Sequence, residues 1–138
     1  LYLYVHRVDG LAPGVYRYWP ENEELELIKV GDQRLIAAAL SLGQDLAGNA
    51  CVAFSMIGDF GSATRAFGDR GYRYVHFEAG ALGQRMYLAA EALGLRATGI
   101  GAFFDDEVHR YLSLSPNQGQ VVYHFPIGYP VHDPRLEA

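Results

Sequence analysis

The chain has 138 residues, half of them hydrophobic and 13% aromatic, which is enough apolar material for one domain with a real core and excludes a disordered polypeptide. Sixteen acidic residues against eleven basic ones give a net charge of -5, so the basic stripe that a nucleic-acid surface needs is missing. No apolar run approaches the roughly 20 residues of a membrane span, and the single cysteine, Cys51, cannot form an internal disulfide, so the expected compartment is the cytoplasm.

Leu1 to His6, "LYLYVH", is apolar on both faces and predicts a central strand rather than an edge. The strand is already under way at the first residue, so the chain reads as a piece of a longer polypeptide. "DGLAPG" predicts a turn-rich loop. The aromatic and β-branched "GVYRYW" predicts a strand, "PENEE" a polar turn and "LELIKV" the return strand. The alternation slips at Ile28, which marks a β-bulge. Gly31 and Asp32 predict a helix start with Asp32 as N-cap, followed by an apolar set of Leu35, Ile36, Ala39, Leu40 and Leu42. Cys51 to Ile57 predicts a buried strand with Cys51 as an inert core thiol. "GDFGSATRAFGDRG" predicts a loop holding one helical turn.

A long helix is then predicted from Tyr72 to Leu93, stopped by Gly94. Beyond it, "ATGIGAFF" predicts a glycine-rich extended stretch, "DDEVHRYLSL" a short helix with Asp105 as N-cap, "PNQGQ" a turn, "VVYHFPIG" a strand and "YPVHDPRLEA" an irregular tail. There is no internal repeat, low-complexity tract or linker.

The long helix carries Gly80 and Gly83 near its centre, although a glycine inside a helix costs about 0.5–1 kcal/mol relative to alanine. Val75, Ala79, Leu82, Met86, Ala89 and Leu93 follow 4-3-4-3-4 steps, a heptad-like stripe. Gly80, Ala81, Gly83 and Ala90 add smallness beyond one apolar face. Two readings follow: a core helix packed on its own sheet, or a central helix with contacts on most of its sides, as in an intimate dimer.

Gly99-Ile100-Gly101 begins like a dinucleotide-binding GxGxxG, but the third glycine position is Phe104. The next helix also opens with Asp105, Asp106 and Glu107, which would repel a pyrophosphate. Two readings of the glycines remain, a flat ligand lying on exposed backbone N–H groups or a plain turn from helix to strand. His6, His76, His109, His124 and His132 show no metal-ligand spacing, so no metal is expected. His6 and His124 lie in predicted strands, in packed or edge-exposed roles. No GxSxG elbow is present, and the "ENEE" and "DDE" carboxylates fit solvated turn and cap positions.

Three ordered stretches, "GLAPGVYRYWPENEELELIKVGD", "DRGYRYVHFEAGALGQRMYLAAEALGLRATGIGAFFDDEVHRYL" and "VVYHFPIGYP", together resemble the nitroreductase superfamily. They are most similar to its SagB-type dehydrogenase branch, which includes azoline oxidases of peptide natural-product pathways. The resemblance covers nearly the whole chain. It implies an α+β fold, a mixed sheet flanked by helices, and a tight homodimer with the Tyr72–Leu93 helix at its heart and two FMN molecules at the subunit interface. It implies hydride transfer through flavin N5, with NAD(P)H as a common donor and a small molecule or peptide as substrate. Ile100, Gly101 and Ala102 match the segment whose backbone N–H groups meet the flavin near N5 and O4 in the family. Arg135, the only Lys or Arg after the last predicted strand, is the candidate for the FMN phosphate, or else a solvated tail arginine.

The sequence also departs from the family. The Arg-rich amino-terminal helix and the "SGGALYP"-like segment, both of which touch FMN, are missing from residues 1–138, so the domain is expected to lack its N-terminal segment. The Lys-Tyr pair of azoline oxidases is replaced by Ala66 and Phe67, and neither can shuttle a proton. The expectation is therefore an FMN-dependent oxidoreductase without a named catalytic residue. The alternative is a non-catalytic, flavin-free dimeric relic or half-domain.

Overall fold

The computed structural model describes residues 1–131 and 134–136. Its strands are β1 (Tyr2–Val5), β2 (Gly14–Trp19), β3 (Glu24–Val30), β4 (Val52–Gly58), β5 (Arg96–Ala97) and β6 (Gln120–Gly128). They form one sheet in the order β3-β2-β1-β4-β6-β5. The helices are α1 (Arg34–Leu40), α2 (Asp45–Asn49), α3 (Phe60–Phe67), α4 (Arg70–Ala92) and α5 (Asp105–Leu112). The fold class is α+β as expected, with every described strand pairing antiparallel rather than mixed. β1 lies between β2 and β4, the central place that its two apolar faces require.

The bulge falls where the alternation slips. Tyr16 pairs with Leu27 and Val15 with Lys29, so Ile28 is the extra residue. β3 is an edge strand, and Leu25, Leu27, Ile28 and Val30 remain exposed on it.

One sheet face builds the main core. Tyr2, Tyr4, Val15, Ala53 and Val121 form a buried cluster with Ala37 and Leu40 of α1, Ala47 of α2, and Val108 and Leu112 of α5. The expected apolar set of α1 is corrected here. Leu35 is 88% exposed, and Ile36 and Leu42 are also open. The helix is seven residues long, so it buries only the short i, i+3 pair Ala37 and Leu40. Asp32 and Asp105 are not the N-caps. Gln33 and Phe104 hold those positions, while Asp32 accepts the Arg34 backbone N–H at 2.9 Å and pairs with its guanidinium.

The segment from 58 to 71 is also corrected. It contains the eight-residue helix α3, capped by Asp59, whose carboxylate accepts the Ser62 N–H at 2.9 Å. Its glycines suggest a loop, but Gly68 supplies the positive φ that ends α3, and α4 begins at Arg70. Gly71 is needed because a Cβ there would lie 2.3 Å from the Ala63 carbonyl oxygen, at the corner between the two helices. The five-residue α2 has no sequence signature, being too short to show a period.

α4 covers the other sheet face. Gly71, Val75, Gly83 and Ala90 are buried. A Cβ on Gly83 would stand 2.9 Å from Tyr123 Cε1 and 3.3 Å from Phe125 Cε2, so this glycine serves the chain's own sheet. The heptad-like stripe follows that inner face from Val75 to Met86 and then leaves it, Ala89 and Leu93 both being exposed. The outer face differs. Gly80 faces open space, and Tyr74, Phe77 and Leu88, spaced 3 and 11 residues apart along one side, are exposed. No helix among the described residues is long and apolar enough to cross a membrane.

Candidate functional site

The stretch from Gly99 to Phe104 joins β5 to α5 and is tied down at nearly every residue. The Gly99 N–H donates to the Tyr87 hydroxyl at 2.6 Å. A Cβ on Gly99 would lie 1.7 Å from the Tyr123 hydroxyl oxygen, so any side chain here would have to displace the Tyr123 ring. Ile100 exchanges two backbone hydrogen bonds with His124, at 2.8 and 3.0 Å, and its side chain is buried in the core. The Ala102 carbonyl accepts from Gln44 Nε2 at 3.3 Å. The Phe103 ring stacks on the His124 imidazole with centroids 4.7 Å apart. The Phe104 N–H donates to the Leu40 carbonyl at 3.0 Å.

Gly101 is the exception. It is exposed, its φ lies outside the left-handed region, and a Cβ would meet nothing within 4 Å. Neither the backbone nor the packing of this chain demands a glycine there. Among the described residues, the N–H groups of Gly101 and Ala102 donate to no protein acceptor. Of the three loop residues singled out from the sequence, Ile100 has its N–H engaged, and Gly101 and Ala102 have donors to offer. An open glycine beside two free amides, on a loop otherwise fixed, fits a flat ring that accepts hydrogen bonds at its edge.

The local charge limits where a phosphate can sit. α5 opens with Asp105, Asp106 and Glu107, all exposed, which disfavours an anion at its N-terminus. Arg135 sits on a short 3-10 turn, Pro134–Leu136, and is exposed; the fold separates it from the loop in sequence by the whole of α5 and β6.

Two of the histidines, His6 and His124, are buried. No group of three or more His, Cys, Asp or Glu among the described residues could hold a metal, and His132 lies outside the described residues. His6 is buried with Nε2 3.1 Å from the Ala47 carbonyl oxygen, and burial lowers its pKa despite that bond. His124 is buried with Nδ1 2.9 Å from Ser41 Oγ, and burial lowers its pKa to about 4. Cys51 is buried and free, as expected. The loop's supports Ser41, Gln44, Tyr87 and His124 escape sequence reading because they are polar or aromatic residues scattered over three elements without a motif.

Ala66 and Phe67 lie elsewhere. They line a cavity of about 510 Å³ with Met56, Val75 and Leu82, between α3, α4 and β4. This cavity and the loop share no lining residue. Phe67 packs edge-on against Tyr74 at 5.3 Å and stays 59% exposed.

Comparison with known proteins gives a consistent picture. A sequence profile described as the Nitroreductase family matches residues 1–129. A relative from Methanocaldococcus jannaschii, named as a nitroreductase, is 37% identical over 117 residues, covering 83% of this chain and 58% of the relative. A crystal structure from Anabaena variabilis, also named as a nitroreductase, is 41% identical with a TM-score of 0.87, covering 94% of this chain and 26% of that one. The E. coli microcin synthetase McbBCD complex, with truncated pro-MccB17 bound, shares the fold at 24% identity and a TM-score of 0.76, covering 96% of this chain and 51% of its counterpart. The chain thus spans less than two thirds of each of these proteins.

Proposed function

The chain belongs to the nitroreductase family, and from that membership we propose that it is the flavin-binding part of an FMN-dependent oxidoreductase of the SagB-type branch. The observation that carries this reading is Gly101, a glycine that nothing among the described residues requires, whose own amide and that of Ala102 donate to no described acceptor on an anchored loop. FMN, when bound, supplies hydride transfer at its N5 position. The amides of Gly101 and Ala102 stabilise negative charge on the ring edge, and Arg135 holds the phosphate.

The protein works as a cytoplasmic homodimer in this reading. The exposed outer face of α4, with Tyr74, Phe77 and Leu88, is the surface that a second copy covers. NAD(P)H is the electron donor and a small molecule or peptide the substrate. At the family's Lys-Tyr positions, Ala66 and Phe67 hold no exchangeable proton, so the reading is general flavin-dependent oxidoreduction rather than azoline oxidation. That same pair is the observation that favours the flavin-free alternative.

A titration separates the two. FMN and riboflavin are added to the purified protein, to Gly101→Val and to Arg135→Ala, and the visible absorbance is followed. The unsubstituted protein is expected to bind FMN, and Gly101→Val to lose it while its thermal midpoint changes little, since a side chain there meets open space. Arg135→Ala should weaken FMN about tenfold or more and leave riboflavin unchanged. No FMN binding by the unsubstituted protein, or equal binding by Gly101→Val, would overturn this assignment.

A further inference from the structure

His124 touches the candidate flavin loop twice. Its backbone exchanges hydrogen bonds with Ile100 at 2.8 and 3.0 Å, and its ring stacks on Phe103 at 4.7 Å with planes 24° apart. Only Gly101 and Ala102 lie between those two anchor points. The ring is itself anchored, because Nδ1 sits 2.9 Å from Ser41 Oγ and both side chains are buried. Ser41 closes the C-terminus of α1, and the same turn supplies the Leu40 carbonyl for the Phe104 N–H and the Gln44 amide for the Ala102 carbonyl.

A buried imidazole is a poor filler for this place. Its Nε2 is buried without a hydrogen-bond partner among the described residues, and such a group is destabilising where an apolar ring of similar shape is not. Stacking on Phe103 alone would be served as well by phenylalanine. What histidine adds is the directed bond to Ser41, which fixes the rotation of the ring and hence the seat of Phe103.

We propose that His124 is a positioning residue for the flavin loop: anchored by Ser41, it holds Ile100 by backbone and Phe103 by ring, and so sets the shape of the stretch that presents the Gly101 and Ala102 amides. The flavin part of this statement rests on the function proposed above. The brace itself is a property of the chain with or without a ligand.

His124→Phe keeps the stack and removes the bond to Ser41, and Ser41→Ala removes the same bond with the imidazole in place. Hydrogen exchange of the unliganded protein is measured on peptides covering 99–104 and on those covering β4, together with FMN affinity and the bound flavin spectrum. Both variants should exchange faster across 99–104 by about tenfold, the loss of one buried hydrogen bond, with β4 unaffected. FMN affinity should fall by a similar factor, and the flavin absorbance should shift. Unchanged exchange across 99–104 would overturn the brace, and so would faster exchange spread evenly through β4. If His124→Phe does not fold, Ser41→Ala alone gives the same readouts. If the unsubstituted protein binds no FMN, the flavin role is overturned with the function above, and the exchange data alone decide the brace. Local loosening with unchanged FMN affinity and spectrum would overturn the positioning role while leaving the function standing.

Discussion

On the inner face of α4, Gly83 admits Tyr123 and Phe125 of the chain's own sheet; on the outer face, Gly80 stands in open space beside exposed Tyr74, Phe77 and Leu88. The loop repeats the contrast. Gly99 meets the Tyr123 hydroxyl, and Gly101 meets nothing among the described residues. Glycines of the first kind are explained by folding. Those of the second kind are the ones that the proposed function assigns to a contact outside the chain, a second copy in one case and a ligand in the other.

Substitutions that fill space test the division. The largest effect is expected at Gly99, where valine would drive its side chain into the Tyr123 hydroxyl, a loss of about 3 kcal/mol or more against the usual range for overpacking. Chemical denaturation measures it, and a loss under about 0.5 kcal/mol would break the first half of the comparison.

Acid probes the buried side without changing its volume. Burial holds His124 near a pKa of about 4, against an ordinary value of 6.5. The unfolded chain therefore takes up a proton as the pH falls through about 6.5, and the folded chain only near 4. Stability is full above the higher value and falls as the pH drops toward the lower one, by roughly 3 kcal/mol across the window. His6, whose pKa burial also lowers, adds in the same direction. Urea midpoints between pH 7 and pH 4.5 follow the slope, which His124→Phe should make shallower.

Gly83→Leu sharpens the comparison on α4 itself. It should destabilise the folded chain by about 1–3 kcal/mol through its own sheet, even at concentrations where the protein is monomeric. An effect seen only in the dimer would move Gly83 to the outer class. Phe77→Glu is the converse and the smallest in stability. The side chain is 67% exposed, so the melting of an isolated chain should change by less than about 0.5 kcal/mol. Light scattering should nonetheless show the proposed dimer split.

Sequence reading reached the parts of the fold governed by local pattern. The central place of β1, the bulge at Ile28 and the length of α4 all follow from the period of apolar residues. It missed α3 because glycines at Gly58, Gly61, Gly68 and Gly71 look like breakers, when Gly68 ends one helix and Gly71 makes room at the corner with the next. For the small residues of α4 it left two readings open, the chain's own sheet or a second copy, since spacing shows that Gly83 needs a close neighbour but not which one. The loop was legible as glycines. Its support was not, because Ser41 and His124 are 83 residues apart and meet only in the folded chain.

The bulge at Ile28 also bears on how the β3 edge could pair with another strand. Among the described residues, β3 has no strand beside one of its two rows of backbone donors and acceptors, and its exposed leucines would suit stacking into fibrils. The extra residue breaks the regular spacing of that row and twists it, so an incoming strand can match only part of the edge. Glu24, Glu26 and Lys29 add charges along the same edge. Salt screens those charges but does not alter the twist, so the edge keeps a geometric guard against fibril growth under conditions where the electrostatic one has faded.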